Sequence, residues 1–257
     1  MLGIFDSGIG GLTVVRELLK RSPETPFVYL GDTARWPYGN KTPEIVQRYA
    51  LEDARFLIGR GATDIVVACN TASALALDTL RSTFPAIRFF DVISPAVQAV
   101  VDSTFQKVGV IGTRATIGSK IYERRLKEAC PKLEVWSVAC PLFVPLVEEN
   151  WIDYPETKRI VRRYLTTLRQ KQIHALILGC THYPLLQPVI RASLQKRVAI
   201  IDSPSALLDQ IERTAPEILE RRDAATQQYY FTDISAHTDR VASRWLGKMV
   251  KGEKASL

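Results

Sequence analysis

The sequence predicts an α/β protein built on parallel sheets with helices on both faces, and three observations predict it. Short uninterrupted apolar runs recur along the chain, stretches of helical period separate them, and polar turns follow them. Strands buried on both faces read as continuous apolar runs, and helical crossovers between them give parallel pairing. In order, Gly3-Ile4-Phe5 is the first strand, and Leu12, Val15, Leu18 and Leu19 mark one face of the helix after it. Phe27-Val28-Tyr29-Leu30 is the second strand, and Ile65-Val66-Val67-Ala68, entered from Gly61, is the third. Val108-Gly109-Val110-Ile111, Ala175-Leu176-Ile177-Leu178 and the shorter Ala199-Ile200-Ile201 complete the set. Ligands of such sheets gather at the carboxyl ends of the strands.

Residues 151–173 form an amphipathic helix, with Ile160, Val161, Tyr164, Leu165 and Leu168 on its apolar face. Lys158, Arg159, Arg162, Arg163, Arg169 and Lys171 lie on the other side, against only Asp153 and Glu156. This reads as a surface helix with a solvated basic side; a docking surface for an acidic partner is the sharper alternative. Gly247–Leu257 reads as a basic, fraying tail.

The composition narrows the classes. The chain has 257 residues, 46% of them apolar, and 34 Lys and Arg against 27 Asp and Glu give a net charge of +7. One large or two modest domains fit that length. No run approaches the ~18 apolar residues of a membrane helix, and the N-terminal MLGIFDSG has no basic segment ahead of an apolar one. The expectation is a cytoplasmic protein without membrane contact. Four cysteines, Cys69, Cys130, Cys140 and Cys180, lie far apart without a CxxC pair, too sparse for a disulfide framework and wrongly spaced for structural zinc. No metal is expected.

A weak internal repeat organises the chain. The run Gly3–Gly10 has a counterpart in Gly109–Gly118, at an offset of 106, and Ile65–Thr71 has one in Leu176–His182, at an offset of 111. Each half offers a strand followed by a hydroxyl-bearing turn, then a strand ending in cysteine. Two similar units facing each other across a cleft account for both offsets.

The DSGIGG run, Asp6 to Gly11, joins a strand to a helix. Its glycines permit a tight turn and close approach of an anion to helix-terminal N–H groups, although Ser7 also fits a plain helix cap. The spacing is neither a dinucleotide fingerprint nor a P-loop. Asp6, an acid at a strand end, has little packing role. Cys69 and Cys180 each follow an apolar strand and precede polar residues, Asn70-Thr71-Ala72-Ser73 opening a helix and Thr181-His182-Tyr183-Pro184 opening a turn. A thiol at a helix start is expected to have a lowered pKa, whereas a single buried cysteine more often only packs. Two thiols at repeat-equivalent positions fit inversion of a carbon stereocentre by 1,1-proton transfer. One thiolate takes the Cα proton while the opposite thiol delivers another. Cys130 and Cys140, each beside a proline, read as structural.

At these residues the chain resembles a known family. DSGIGG, Gly31–Gly39 (GDTARWPYG), Ala68–Ala72 (ACNTA) and Gly179–Pro184 (GCTHYP), with Val110–Ile117 and Pro141–Glu148 between them, resemble the cofactor-independent glutamate racemases of the Asp/Glu racemase superfamily. The resemblance runs from about residue 3 to residue 205, and more loosely beyond. It implies two pseudo-symmetric domains with the active site between them, one formed by residues 1–95 plus 206–257 and the other by 96–205. It implies Cys69 and Cys180 as catalytic acid/bases, one serving each enantiomer, assisted by Asp6 and His182 respectively, with Glu148 a further catalytic carboxylate. Substrate-binding residues carried over by position are Asp6, Ser7, Tyr38, Gly39, Asn70, Thr71, Thr113, Thr116, Thr181 and His182. Hydroxyls, an amide and helix-terminal N–H groups suit two carboxylates and an ammonium. No lysine stands in a pyridoxal-phosphate context, and no cofactor is expected. His174 and His237 receive no role. The sequence departs from the family pattern at Ser94, where an acid commonly precedes the proline, and at Trp36, where a smaller apolar residue is common; both bear on cleft shape or subunit contacts.

The expected activity is interconversion of L- and D-glutamate, supplying D-glutamate for peptidoglycan, with a homodimer implied by the family alone. A racemase for aspartate or another acidic amino acid is the closest rival. A basic interaction protein for nucleic acid or a topoisomerase is the rival of another class, with no recognised nucleic-acid motif to support it.

Overall fold

The computed structural model describes residues 1–223 and 226–257 except for the side chains of Ala236 and His237, so the exclusion of His237 from the site lies outside the described residues. Two wholly parallel sheets carry the fold. The first contains β1 (Leu2–Asp6), β2 (Phe27–Gly31), β3 (Asp64–Val67) and β4 (Arg88–Asp91). The second contains β5 (Lys107–Gly112), β6 (Glu134–Ala139), β7 (Ala175–Gly179) and β8 (Ala199–Asp202). Near the C-terminus β9 (Gln227–Phe231) and β10 (Glu253–Lys254) return to extend the first sheet. The strand orders are β10-β9-β2-β1-β3-β4 and β6-β5-β7-β8.

The repeat seen in the sequence is a repeat of topology. In each sheet the first strand of its unit lies between the second and third, with the fourth outside the third. The register repeats as well. Gly3 pairs with Ile65, and their counterparts Gly109 and Leu176 pair with each other. All six strands read from apolar runs are present, because residues closed off on both faces by helices leave a continuous signal. β1, β2, β3 and β7 are buried at every position.

Four strands escaped that reading. β6 is partly exposed along its length and interrupts its apolar residues with polar ones, as in Glu134-Val135-Trp136-Ser137. β4 is four residues long, and β9 begins on two glutamines. The C-terminal segment is not a fraying tail. β10 pairs with β9, the Ala255 N–H donates to the Phe231 carbonyl at 2.8 Å, and Val250 and Ala255 are buried. Its few apolar residues fall where the chain turns back onto the sheet.

The basic amphipathic helix spans Pro155–Gln170, with proline in its first turn. Val161, Leu165 and Leu168 are buried, while Lys158, Arg159, Arg162, Arg163, Arg169 and Lys171 are all exposed. Among the described residues no helix is long and apolar enough to cross a membrane.

Candidate active site

The carboxyl ends of β1, β3, β5 and β7 deliver the polar turns to one cavity, as strand polarity in such sheets dictates. Cys69 and Cys180 line this small cavity together with eleven further residues. Of the sequence-predicted residues, Ser7, Tyr38, Gly39, Cys69, Asn70, Thr71, Thr113, Cys180, Thr181 and His182 line it. Asp6, Thr116 and Glu148 do not line this cavity, although Glu148 lines an adjoining one.

Asp6 ends β1, fully buried, and its carboxylate accepts the Gly8 N–H at 3.0 Å. Burial pushes its carboxyl above the usual range, and neighbouring His182 pulls the other way. The helix that follows, Leu12–Arg21, has Gly11 at its start and no side-chain cap, so Ser7 is not a helix cap. Ser7 instead accepts from the Cys69 thiol at 3.5 Å. Thr13 donates to the Gly10 carbonyl at 2.9 Å and the Thr181 carbonyl at 3.0 Å, joining the β1 and β7 turns. A Cβ on Gly10 would lie 2.3 Å from Thr181 Oγ1, so this contact requires glycine.

Cys69 opens the six-residue helix Asn70–Leu75, its Sγ accepting from the Ala72 N–H at 3.5 Å. The expected lowering of its pKa is overturned. Burial first, and the negative Asp6 second, push the thiol up to about 12, outweighing its hydrogen bonds with Ser7 and Ala72. One turn of helix cannot offset the loss of hydration of a buried thiolate.

Cys180 meets different surroundings. His182 Nδ1 lies 3.8 Å from its Sγ, and His182 Nε2 lies 2.8 Å from Glu148 Oε1. Burial by itself would lower the imidazole pKa, but the bonds to Cys180 and Glu148 prevail and hold it at about 10. A protonated imidazole donates from both nitrogens, one to a sulfur and one to a carboxylate. Glu148 comes from the end of the helix Phe143–Glu148, after β6.

Thr71, Thr113 and Thr116 form a triangle of hydroxyls at 3.0, 3.1 and 3.0 Å, bridging turns that follow β3 and β5. Thr113 caps its short helix through the Thr116 N–H. Tyr38 lines the cavity, yet its hydroxyl is engaged with Asp32 and, at 3.0 Å, Asp53; Arg35 binds the same two carboxylates at 2.6 and 3.1 Å. The phenol is therefore occupied away from the cavity.

Sequence reasoning did not identify Val144 and Pro37 as wall residues, and it noted Trp36 only as a departure, whereas Trp36 lines this cavity and the adjoining ones. Ser94, the other departure, donates to Asp91 at 2.6 Å and accepts from Arg125 at 2.6 Å, away from the cavity. Cys140 is buried, Cys130 partly so, and neither lines the site. Among the described residues no group of three His, Cys, Asp or Glu is placed to hold a metal ion. Two thiols, an imidazole, an amide and several hydroxyls thus converge on one cavity.

A sequence profile described as Asp/Glu/Hydantoin racemase matches residues 13–211. A glutamate racemase of Geobacter metallireducens is 44% identical over 250 residues, 96% of this chain and 92% of that one. The structure of a glutamate racemase from Francisella tularensis in complex with D-glutamate superposes with a TM-score of 0.90 at 36% identity, over 99% of this chain and 97% of that one. An aspartate racemase of Picrophilus torridus, at 19% identity and a TM-score of 0.57 over 84% of this chain and 94% of that one, shares the fold alone.

Proposed function

The chain belongs to the Asp/Glu/Hydantoin racemase family, and we propose that it interconverts L- and D-glutamate by two-thiol proton transfer. The observation that carries this reading is the convergence of Cys69 and Cys180 on one cavity from repeat-equivalent strand ends. Its substrate is suggested by the relatives' names, the Francisella tularensis protein having been crystallised with D-glutamate.

In one direction the Cys180 thiolate, paired with protonated His182, takes the Cα proton. The electron pair of that C–H bond passes to a planar carbanion. The Cys69 thiol, kept protonated by its burial, gives its proton to the opposite face and is left as a thiolate. The reverse reaction runs through the same groups with roles exchanged. Asp6, with its carboxyl pushed up by burial, places less negative charge beside Cys69 when that sulfur must ionise. Ser7, Asn70, Thr71, Thr113 and Thr181 supply donors for the substrate carboxylates, and Thr116 holds Thr71 and Thr113 in place. Placing both thiols against one carbon before reaction removes the cost of assembling acid, base and substrate from solution.

The wider reading includes D-glutamate supply for peptidoglycan in the cytoplasm, a homodimer, and domain limits at residues 1–95 plus 206–257 and 96–205. Circular dichroism of separate L-glutamate and L-aspartate solutions, each incubated with the protein, tests the substrate. Loss of optical signal from glutamate alone is expected. Equal or faster loss from aspartate would replace this reading with the acidic-amino-acid rival.

A further inference from the structure

Asn70 sits in the cavity wall almost fully buried, and its two amide atoms have opposite fates. Oδ1 accepts the Tyr122 hydroxyl proton at 2.7 Å, and Ser203 Oγ stands 3.5 Å from the same oxygen. Nδ2 is buried without any hydrogen-bond partner, the one such side-chain atom among the described residues that belongs to this wall. A buried amide NH2 left bare is costly unless something binds it.

We propose that Tyr122 is a positioning residue for substrate binding, its hydroxyl locking the Asn70 amide so that Nδ2 faces the cavity as the donor for a substrate carboxylate. This rests on the reading of Asn70 as a substrate contact. Tyr122 is the second residue of the helix Ile121–Ala129, in the connection after β5, whereas Asn70 follows β3, so the lock reaches across from one sheet's connections to the other's. Ser203 spends its own proton on the Leu178 carbonyl at 3.0 Å, which leaves the phenol as the principal donor to Oδ1. The 2.7 Å separation is that of an O–H···O bond and shorter than usual for N–H···O. Were the amide turned over, the buried Tyr122 proton would lose its acceptor and a carbonyl oxygen would face the incoming carboxylate. An amide turns over at no steric cost, so orientation here is set by hydrogen bonding alone.

The test is a double-mutant cycle on steady-state racemisation. Tyr122→Phe keeps the ring in its packed bed and removes only the hydroxyl. It should raise KM about tenfold and leave kcat within about threefold, the loss of one charge-assisted contact. Asn70→Ala should raise KM similarly, and the double variant should be no worse than Asn70→Ala alone, because the lock has nothing left to hold. Asn70→Asp, which preserves the acceptor for Tyr122 and replaces the NH2 by oxygen, should raise KM at least as far as Asn70→Ala. Additive effects in the double variant, an unchanged KM in Tyr122→Phe, or wild-type KM in Asn70→Asp would each overturn the proposal. An unchanged KM in Asn70→Ala would instead remove Asn70 from the substrate contacts, and the proposal with it.

Discussion

Cys69 and Cys180 line the same cavity in unlike surroundings. Burial and Asp6 push the Cys69 thiol up to about 12, while Cys180 has His182 3.8 Å from its sulfur, itself linked to Glu148 at 2.8 Å. His182→Asn should slow proton abstraction by Cys180 about a hundredfold, read as loss of deuterium incorporation starting from the one enantiomer whose Cα proton faces Cys180. Equal losses from both enantiomers would contradict the pairing of His182 with that sulfur. The pH dependence has a definite sign. The His182 pKa is raised from 6.5 to about 10, so its contribution to stability is complete below about pH 6.5 and is lost as pH rises through about 10. Denaturation midpoints should fall over that interval in the wild type and fall less in His182→Asn. The two thiols, His182 and the threonines stood out in the sequence because each lies next to a strand end in a short motif. Tyr122 did not, since its partner is 52 residues away. The residues around it, Lys120-Ile121 and Glu123-Arg124, form no motif that would mark it. Trp36 was visible only as a departure from pattern, its place in the wall being set by packing between turns distant in sequence.

At the scale of elements, the site depends on how closely the β1 and β7 turns approach. Gly10 and Thr13 set that distance, with no room for a Cβ at the former. Gly10→Ala should destabilise the fold by about 1–3 kcal/mol through overpacking and slow turnover, measured by urea unfolding alongside racemisation. A neutral effect on both would mean the turns move apart freely. The C-terminal strand gives a second prediction. Deleting residues 247–257 removes buried Val250 and Ala255 and uncovers β9, for an expected loss of about 2–4 kcal/mol. Strands covered on both faces were legible because their whole length is apolar. β6 and β9 were not, because partial exposure breaks up the apolar run while too few residues remain to establish an alternation. The C-terminal strand was masked by its lysines, which point to solvent while two small apolar residues anchor the chain.

For the whole molecule, the two sheets share strand order and register, and this symmetry brings one cysteine from each to the cavity. The offsets in the sequence carried that much. They carried nothing of the electrostatic asymmetry, which depends on Asp6 and on a carboxylate from the helix after β6. The net charge of +7 belongs largely elsewhere, with six exposed cations along and beside Pro155–Gln170. None of them lines the cavity. Replacing Lys158, Arg159, Arg162 and Arg163 by glutamate should therefore leave kcat/KM within about twofold at moderate salt, where surface charges are screened. A large fall would tie that face to function.

In the proposed mechanism both sulfurs move protons at one carbon. The most direct measurement follows deuterium at Cα when L-glutamate or D-glutamate is incubated in D2O with the wild type, Cys69→Ala or Cys180→Ala. The wild type should label the product as optical rotation decays. Each variant should lose racemisation by about a thousandfold or more. Racemisation with Cα labelling that persists in both variants would contradict the two-thiol account.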